Sequence, residues 1–171
     1  MTSLAARLDA LDARIANTMA RLGEPTLRLG LGLVFIWFGI LKPLGLSSAN
    51  DLVARTVYWG VDPAWFIPVL GWWEVAIGVC LLDPGRWLGV GLGRWMTRAG
   101  VLLMLLQMPG TFLPLVMLPD VTWQRPLVPT LEGQYIIKNL VLIGAALLLG
   151  GRVRVEEGKP RAARAAAPGS K

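Results

Sequence analysis

Four apolar segments, each close to the length of a membrane-crossing helix, constrain most strongly what this chain can fold into. A helix needs ~20 mostly apolar residues to cross a hydrocarbon core ~30 Å thick. The whole chain is 54% hydrophobic and 16% charged, which is typical of a protein whose solvent is lipid. The sequence therefore predicts an all-α fold, an integral membrane four-helix bundle, with spans at about residues 26–46, 64–82, 97–118 and 134–150.

The residues before the first span have the apolar period of a helix. One side carries a stripe of large aliphatic residues, and arginines recur every seven residues on another side: Leu4, Leu8, Leu11, Ile15 and Leu22 against Arg7, Arg14 and Arg21. This pattern predicts that residues 1–25 form an amphipathic interfacial helix on the membrane surface. The alternative is a helix that faces a partner protein or solvent.

The positions of the basic residues predict the orientation of the spans. Thirteen of the 17 lysines and arginines lie before the first span, between the second and third, after the fourth, or in the opening residues of the first and third spans. By the positive-inside rule, both termini are cytoplasmic in a multi-pass protein of the inner (cytoplasmic) membrane. We expect the first span to be a retained anchor and residues 151–171 to be a disordered basic tail.

The connections between spans are predicted from their turn-forming residues. The outer loop 47–63 contains Ser48 and Asp51 at the spacing of a helix cap, which predicts a short helix. The proline-rich outer loop 119–133 is expected to be extended.

Composition also excludes several kinds of chemistry and partner. The chain has no histidine and one cysteine, Cys80, so it cannot form a His-ligated haem or metal site, a histidine-based triad or a dithiol pair by itself. Its net charge of +6 lies beside the apolar runs, which indicates membrane topology and not nucleic-acid binding. The expected partners are the lipid bilayer and other subunits of a membrane complex.

One carboxylate, Glu74, lies deep within the second span, in the stretch GWWEVAIGVCLL. A charge at that depth costs about 2.5–3.5 kcal/mol on insertion scales, so it should face the bundle interior and have a partner. Lys42, near the outer end of the first span, is the best partner. The two helices run in opposite directions and side chains lean toward a helix's N-terminus, so Lys42 and Glu74 lean toward each other.

Further polar residues fall in the outer half of the predicted bundle, and with Lys42 and Glu74 they are the candidate pocket: Gln107, Tyr135, Lys138 and Asn139. Each also has a structural explanation. A lysine near a helix end extends to the interface, and a lone amide often bonds across helices. Pro109 and Gly110, beside Gln107, are expected to kink the third span or open its backbone toward a cavity.

Three stretches resemble the DoxX-like family of small four-helix membrane proteins: GLGLVFIWFGILKPLG, GWWEVAIGVCLL and EGQYIIKNLVLIGAALLL. The resemblance implies a bundle with both ends in the cytoplasm. Some relatives are linked to quinone-coupled sulfur oxidation, as in thiosulfate:quinone oxidoreductase, and others to membrane complexes for oxidative stress. Lys42 and Glu74 match recurring family positions, and Lys138-Asn139 matches a K-N pair of a related branch. Without histidine or a second cysteine, the chain fits an accessory subunit better than a stand-alone enzyme.

Three hypotheses for function follow. The first is a membrane subunit of a redox-linked complex with a quinone in the outer half of the bundle. Its apolar slot would be walled by aromatic residues, namely Trp37, Phe38, Trp72 and Trp73. The second is a non-enzymatic anchor or assembly subunit, whose buried polar groups fix helix register. The third is a small proton- or cation-coupled transporter with Glu74 as its ion site.

The predicted topology can be measured with single cysteines in a Cys80→Ser background. A cysteine at Ser170 should react only with a membrane-permeant reagent, whereas one at Ser48 in the outer loop should react with an impermeant reagent in intact cells. Labelling of the Ser170 position by the impermeant reagent would reverse the orientation.

Overall fold

The computed structural model of the chain describes residues 4–57, 60–84 and 93–158, and most of them are helical. Four helical stretches in these ranges are long and apolar enough to cross a membrane: Leu4–Leu41, Pro63–Leu82, Gly93–Met117 and Leu131–Val153. The predicted number and approximate positions of the apolar helices are therefore confirmed. Their insertion into a bilayer, and its orientation, stay predictions.

The first helix, α1, runs without a break from Leu4 to Leu41 and contains Pro25. The sequence divides this region at residue 25 into a surface helix and a span, but the two are one continuous helix. Proline removes one backbone hydrogen bond, and its neighbours here continue the helix on both sides. The helix ends at Leu41 because Pro43 disfavours helical geometry at Lys42, and Gly45 then turns the chain with φ of 71°.

The second apolar helix, α3 (Pro63–Leu82), begins and ends with recognisable caps. The Asp62 carboxylate accepts a hydrogen bond from the backbone N–H of Ala64 at 2.9 Å. At the other end Asp83 adopts φ of 51° and donates its N–H to the Val79 carbonyl. Between α1 and α3 lies the short helix predicted in the outer loop, α2 (Asn50–Val57).

The third and fourth apolar stretches are each built from two helices. The third comprises α4 (Gly93–Thr111), which contains Pro109, and α5 (Pro114–Met117). The fourth comprises α7 (Leu131–Ile137) and α8 (Asn139–Gly158). Helix α8 continues past the predicted end of the bundle at residue 150, so the first part of the predicted tail is helical. The rest of that tail, residues 159–171, lies outside the described residues.

The connection between α5 and α7 differs from the predicted extended loop. It forms a helical turn, α6 (Pro119–Thr122), and then a two-stranded antiparallel hairpin of β1 (Trp123–Arg125) and β2 (Val128–Pro129). Leu127 takes a positive φ of 64° at the turn. Strands of two or three residues leave no readable period in a sequence, which is why the hairpin was not predicted. Within the described ranges it is the exception to an otherwise all-α fold.

Consecutive long helices pack as antiparallel neighbours, α1 on α3, α3 on α4, and α4 on α8. A single core joins all four, and it contains large aliphatic and sulfur-containing side chains with one aromatic: Leu31, Phe35, Ile77, Leu81, Val101, Met104, Met108, Ala146 and Leu149. The bundle is thus held by close packing of side chains, as expected of helices that associate within lipid.

Helices α1 and α3 approach each other closely along four glycines that we call the glycine seam. Gly39 faces Gly71, and Gly32 faces Gly78, so each helix contributes two glycines seven residues apart. A methyl group on Gly39 would lie 2.7 Å from the Gly71 carbonyl oxygen, and one on Gly78 would lie 2.6 Å from that of Gly32. Only glycine allows the two backbones to come this close.

Replacement of a seam glycine by alanine should therefore lower the stability of the bundle, even though alanine is the better helix former. We expect Gly39→Ala to lower the free energy of unfolding by about 1–3 kcal/mol, since the added methyl meets backbone atoms that must move. Gly30→Ala is the matched control, because nothing lies within 4 Å of the added methyl on the same helix. It should be neutral or gain up to about 1 kcal/mol. Unfolding in detergent measures both, and equal effects would contradict the seam.

Candidate functional site

Glu74 and Lys42 form a buried ion pair inside the bundle. Lys42 lies just past the end of α1 and is 7% exposed, and Glu74 on α3 is 9% exposed. The Lys42 Nζ donates directly to Glu74 Oε2. The predicted pairing is confirmed. In an environment of low dielectric constant each charge is stabilised mainly by the other.

The glycine seam determines where this pair forms. A methyl group on Gly71 would lie 2.8 Å from Cβ of Lys42, so the lysine crosses α3 directly over that glycine. Glu74 follows Gly71 by three residues and therefore lies nearly one turn further along the same face. A bulkier residue at position 71 would push α1 away and separate the two charges.

Gln107 on α4 completes the site by binding the second oxygen of the same carboxylate. Its Nε2 donates to Glu74 Oε1 at 2.8 Å. An ionised carboxylate accepts hydrogen bonds at both oxygens, and here each oxygen has a donor from a different helix. We call these three residues, Lys42, Glu74 and Gln107, the triad. Three helices thus contribute to one polar site with no net charge.

The triad has hydrogen-bonding capacity that the described protein does not use. Gln107 Oε1 is buried and has no hydrogen-bond partner among the described residues. Lys42 carries three N–H donors, and in the same ranges only Glu74 accepts from them. Asn50 donates to the Lys42 carbonyl at 3.3 Å, and its own Oδ1 is buried without a described partner. Buried polar atoms are nearly always satisfied, so these atoms mark where a water or a polar ligand group would bind.

The four candidate aromatic residues do not wall a slot inside the bundle. Trp37, Phe38 and Trp72 are 68%, 56% and 61% exposed, so they face outward. The glycine seam explains this, because Gly39 and Gly71 occupy the inner face and the adjacent residues are rotated away from it. Trp73 is also turned outward, and its Nε1 donates to the Leu103 carbonyl at 3.2 Å.

Three more candidates lie apart from the triad, at the start of the fourth apolar stretch. Lys138 Nζ lies 4.6 Å from the ring centroid of Tyr135, which is a cation–π contact. Tyr135 and Lys138 are exposed, and Asn139 is partly exposed at the start of α8. No described contact joins these residues to Lys42, Glu74 or Gln107.

A second polar cluster, at the other end of the bundle, was not predicted. Arg28 donates to Glu24 Oε1 at 2.9 Å and to Thr97 Oγ1 at 2.6 Å, and Arg152 lies 3.3 Å from Glu24 Oε2. This cluster ties α1 to α4 and α8. The four-residue spacing of Glu24 and Arg28 is a signal from which the local pair could have been predicted, whereas Thr97 and Arg152 come from distant parts of the chain.

The described part of the chain contains no candidate metal site. There, no three residues among histidine, cysteine, aspartate and glutamate lie close enough together to hold a metal ion. Cys80 is a free cysteine of intermediate exposure.

Comparison with known proteins finds no matching family model, no similar curated protein and no similar solved structure. The DoxX-like resemblance therefore rests on the sequence motifs alone.

The energetic coupling of the ion pair can be measured by a double-mutant cycle. We expect Lys42→Met and Glu74→Gln each to lower the free energy of unfolding, by about 3–5 kcal/mol if removal of one charge leaves the other buried and unpaired. The double variant should lose less than the sum of the two losses. Lys138→Met, at an exposed lysine, is the control and should cost no more than about 1 kcal/mol, since it removes only an exposed cation–π contact. Additive losses in thermal unfolding would exclude coupling.

Proposed function

We propose that the chain is a four-span membrane protein whose triad binds the polar head of a small lipid-soluble molecule, with quinones as the best-matched class. The observation that supports it is the convergence of Lys42, Glu74 and Gln107 from separate parts of an apolar bundle, with open hydrogen-bonding groups on two of them. Ionisable residues within membrane helices are costly to insert and are usually retained for function.

The open groups match the two redox states of a quinone. A quinone carbonyl accepts hydrogen bonds, which the unused N–H groups of Lys42 supply. A quinol hydroxyl donates, and Gln107 Oε1 is an acceptor. Trp37, Phe38 and Trp72 lie on the outward face of α1 and α3, where they would contact a ligand arriving through the lipid and not one enclosed within the bundle.

The wider role that we propose is that of an accessory subunit of a redox-linked complex in the inner membrane, with both termini in the cytoplasm. The DoxX-like motifs support this role, as does the absence of histidine and of a second cysteine. In this role a partner subunit would supply the electrons to the bound quinone.

A non-enzymatic assembly subunit is the second candidate, and one observation favours it. Both oxygens of Glu74 already accept hydrogen bonds from the protein, as expected of a polar contact that fixes helix register. The same observation gives no support to a transporter in which Glu74 binds a proton or cation.

Quinone binding is testable by quenching of tryptophan fluorescence, since the chain has eight tryptophans. A short-chain ubiquinone titrated into purified protein in nanodiscs should quench saturably. Gln107→Leu should raise the Kd about tenfold, the equivalent of one lost hydrogen bond of about 1.4 kcal/mol. Gln124→Leu, in the exposed hairpin strand, is the matched control and should leave the Kd unchanged.

Two results would contradict ligand binding. One is quenching that does not saturate in the wild-type protein, and the other is an unchanged Kd in both Gln107→Leu and Lys42→Met. The assembly role is supported instead if quinone does not bind and the variant with both Lys42→Met and Glu74→Gln loses a stoichiometric partner that co-purifies with the wild type.

A further inference from the structure

The first half of α1 carries an apolar stripe that no described part of the chain covers. Every residue from 4 to 23 is exposed. The aliphatic residues of the stripe are between 47% and 74% exposed: Leu4, Leu8, Leu11, Ile15 and Leu22. Charged residues interrupt this half of the helix too often for it to lie in hydrocarbon, namely Arg7, Asp9, Asp12, Arg14 and Arg21.

The spacing within the stripe is that of a coiled coil. Successive stripe positions alternate between four and three residues apart, which is the a and d pattern of the heptad repeat. Leu8, Ile15 and Leu22 occupy a, and Leu4, Leu11 and Thr18 occupy d. Thr18 can be buried at such a seam, because its hydroxyl already donates to the Arg14 carbonyl at 2.9 Å. The arginines that repeat every seven residues all fall at position g.

The continuity of α1 favours a first half that continues in the direction of the second over a helix that lies flat on the membrane. A helix that crosses a bilayer and then follows its surface must turn through about 90°. A proline inside a helix causes a kink, which is a smaller change of direction. Helix α1 passes through Pro25 without a break. If the second half of α1 crosses the membrane, its first half projects into the aqueous phase, where an apolar stripe of this length needs a protein partner.

We propose that residues 4–22 form a parallel two-stranded coiled coil with the same segment of a second copy of this chain. All copies insert into the membrane with one orientation, so the two segments project from the same side and run in parallel. In that arrangement a g residue faces the e residue five positions later in the partner helix. Arg7 at g therefore faces Asp12 of the second copy at e, and the symmetry of the dimer repeats the contact.

The proposal is independent of any ligand at the triad and requires only that α1 crosses the membrane. About three heptads are short for a free coiled coil in water. Two copies held in one membrane have a high effective concentration, which makes association of a short seam favourable. An open apolar groove at Met19, Leu22 and Gly23 marks the membrane-side end of the stripe.

A cysteine scan of the full-length protein tests the seam directly. In a Cys80→Ser background, single cysteines replace Leu8, Leu11 and Ile15 on the stripe and Asp9, Ala10 and Ala13 on the other faces. Native membranes are treated with a mild oxidant, and disulfide-linked dimers are resolved by non-reducing electrophoresis. Stripe positions should cross-link at least about fivefold more than the others, because a and d residues face their own counterparts across a parallel dimer.

Three outcomes of the scan would overturn the proposal. Cross-linking that is equal at all six positions indicates random collision. Its absence at Leu11 and Ile15 indicates that the helix remains single, as it would on a membrane surface. A stripe cysteine that links only to a different protein identifies a heterologous partner.

A second measurement tests the dimer without relying on disulfide formation. Single-molecule photobleaching counts copies of the labelled protein in dilute membrane vesicles. Ile15→Glu should reduce the two-step fraction to that expected from random co-occupancy, since it places a charge at the seam. Ala13→Glu adds the same charge at the outward f position and should leave the fraction unchanged. Equal effects of the two variants, or a wild type that bleaches in one step, would exclude the dimer.

Discussion

The close contact between α1 and α3 is the constraint on which the rest of the bundle depends. Gly39 against Gly71 and Gly32 against Gly78 bring the two backbones together without intervening side chains. Lipid provides no hydrophobic force between helices, so such close packing supplies a large part of the attraction that holds them. The same contact places Lys42 over Gly71 and within reach of Glu74, which links packing directly to the polar site.

The polar site is stable in an apolar bundle because every charge is matched locally. Glu74 has a lysine on one oxygen and an amide on the other, and the two donors come from separate parts of the bundle. The Glu24–Arg28–Thr97–Arg152 cluster does the same at the opposite end. The two clusters differ in one respect: the triad retains buried hydrogen-bonding groups without described partners, and these suit it to a ligand.

The sequence of helix α1 changes in character near Pro25. Beyond Pro25 its inner face is glycine and large apolar side chains that pack in the core, such as Leu31 and Phe35. Before Pro25 it alternates charged residues with a narrow aliphatic stripe, all of it exposed. One continuous helix thereby connects the end of the bundle that holds Lys42 to the exposed stripe for which we propose self-association.

The sequence by itself determined the four apolar helices and the Lys42–Glu74 pair. Length and hydropathy are properties of single segments, and a buried glutamate has few possible partners in a chain with so few charges. Only the tertiary structure decided which faces meet. Trp37, Phe38 and Trp72 are near Gly39 and Gly71 in the chain, but the seam turns them outward, and no sequence period marks that rotation. The contacts of Thr97 and Arg152 with Glu24 and Arg28 were likewise decided by the tertiary structure, because contacts between distant segments depend on how the helices pack.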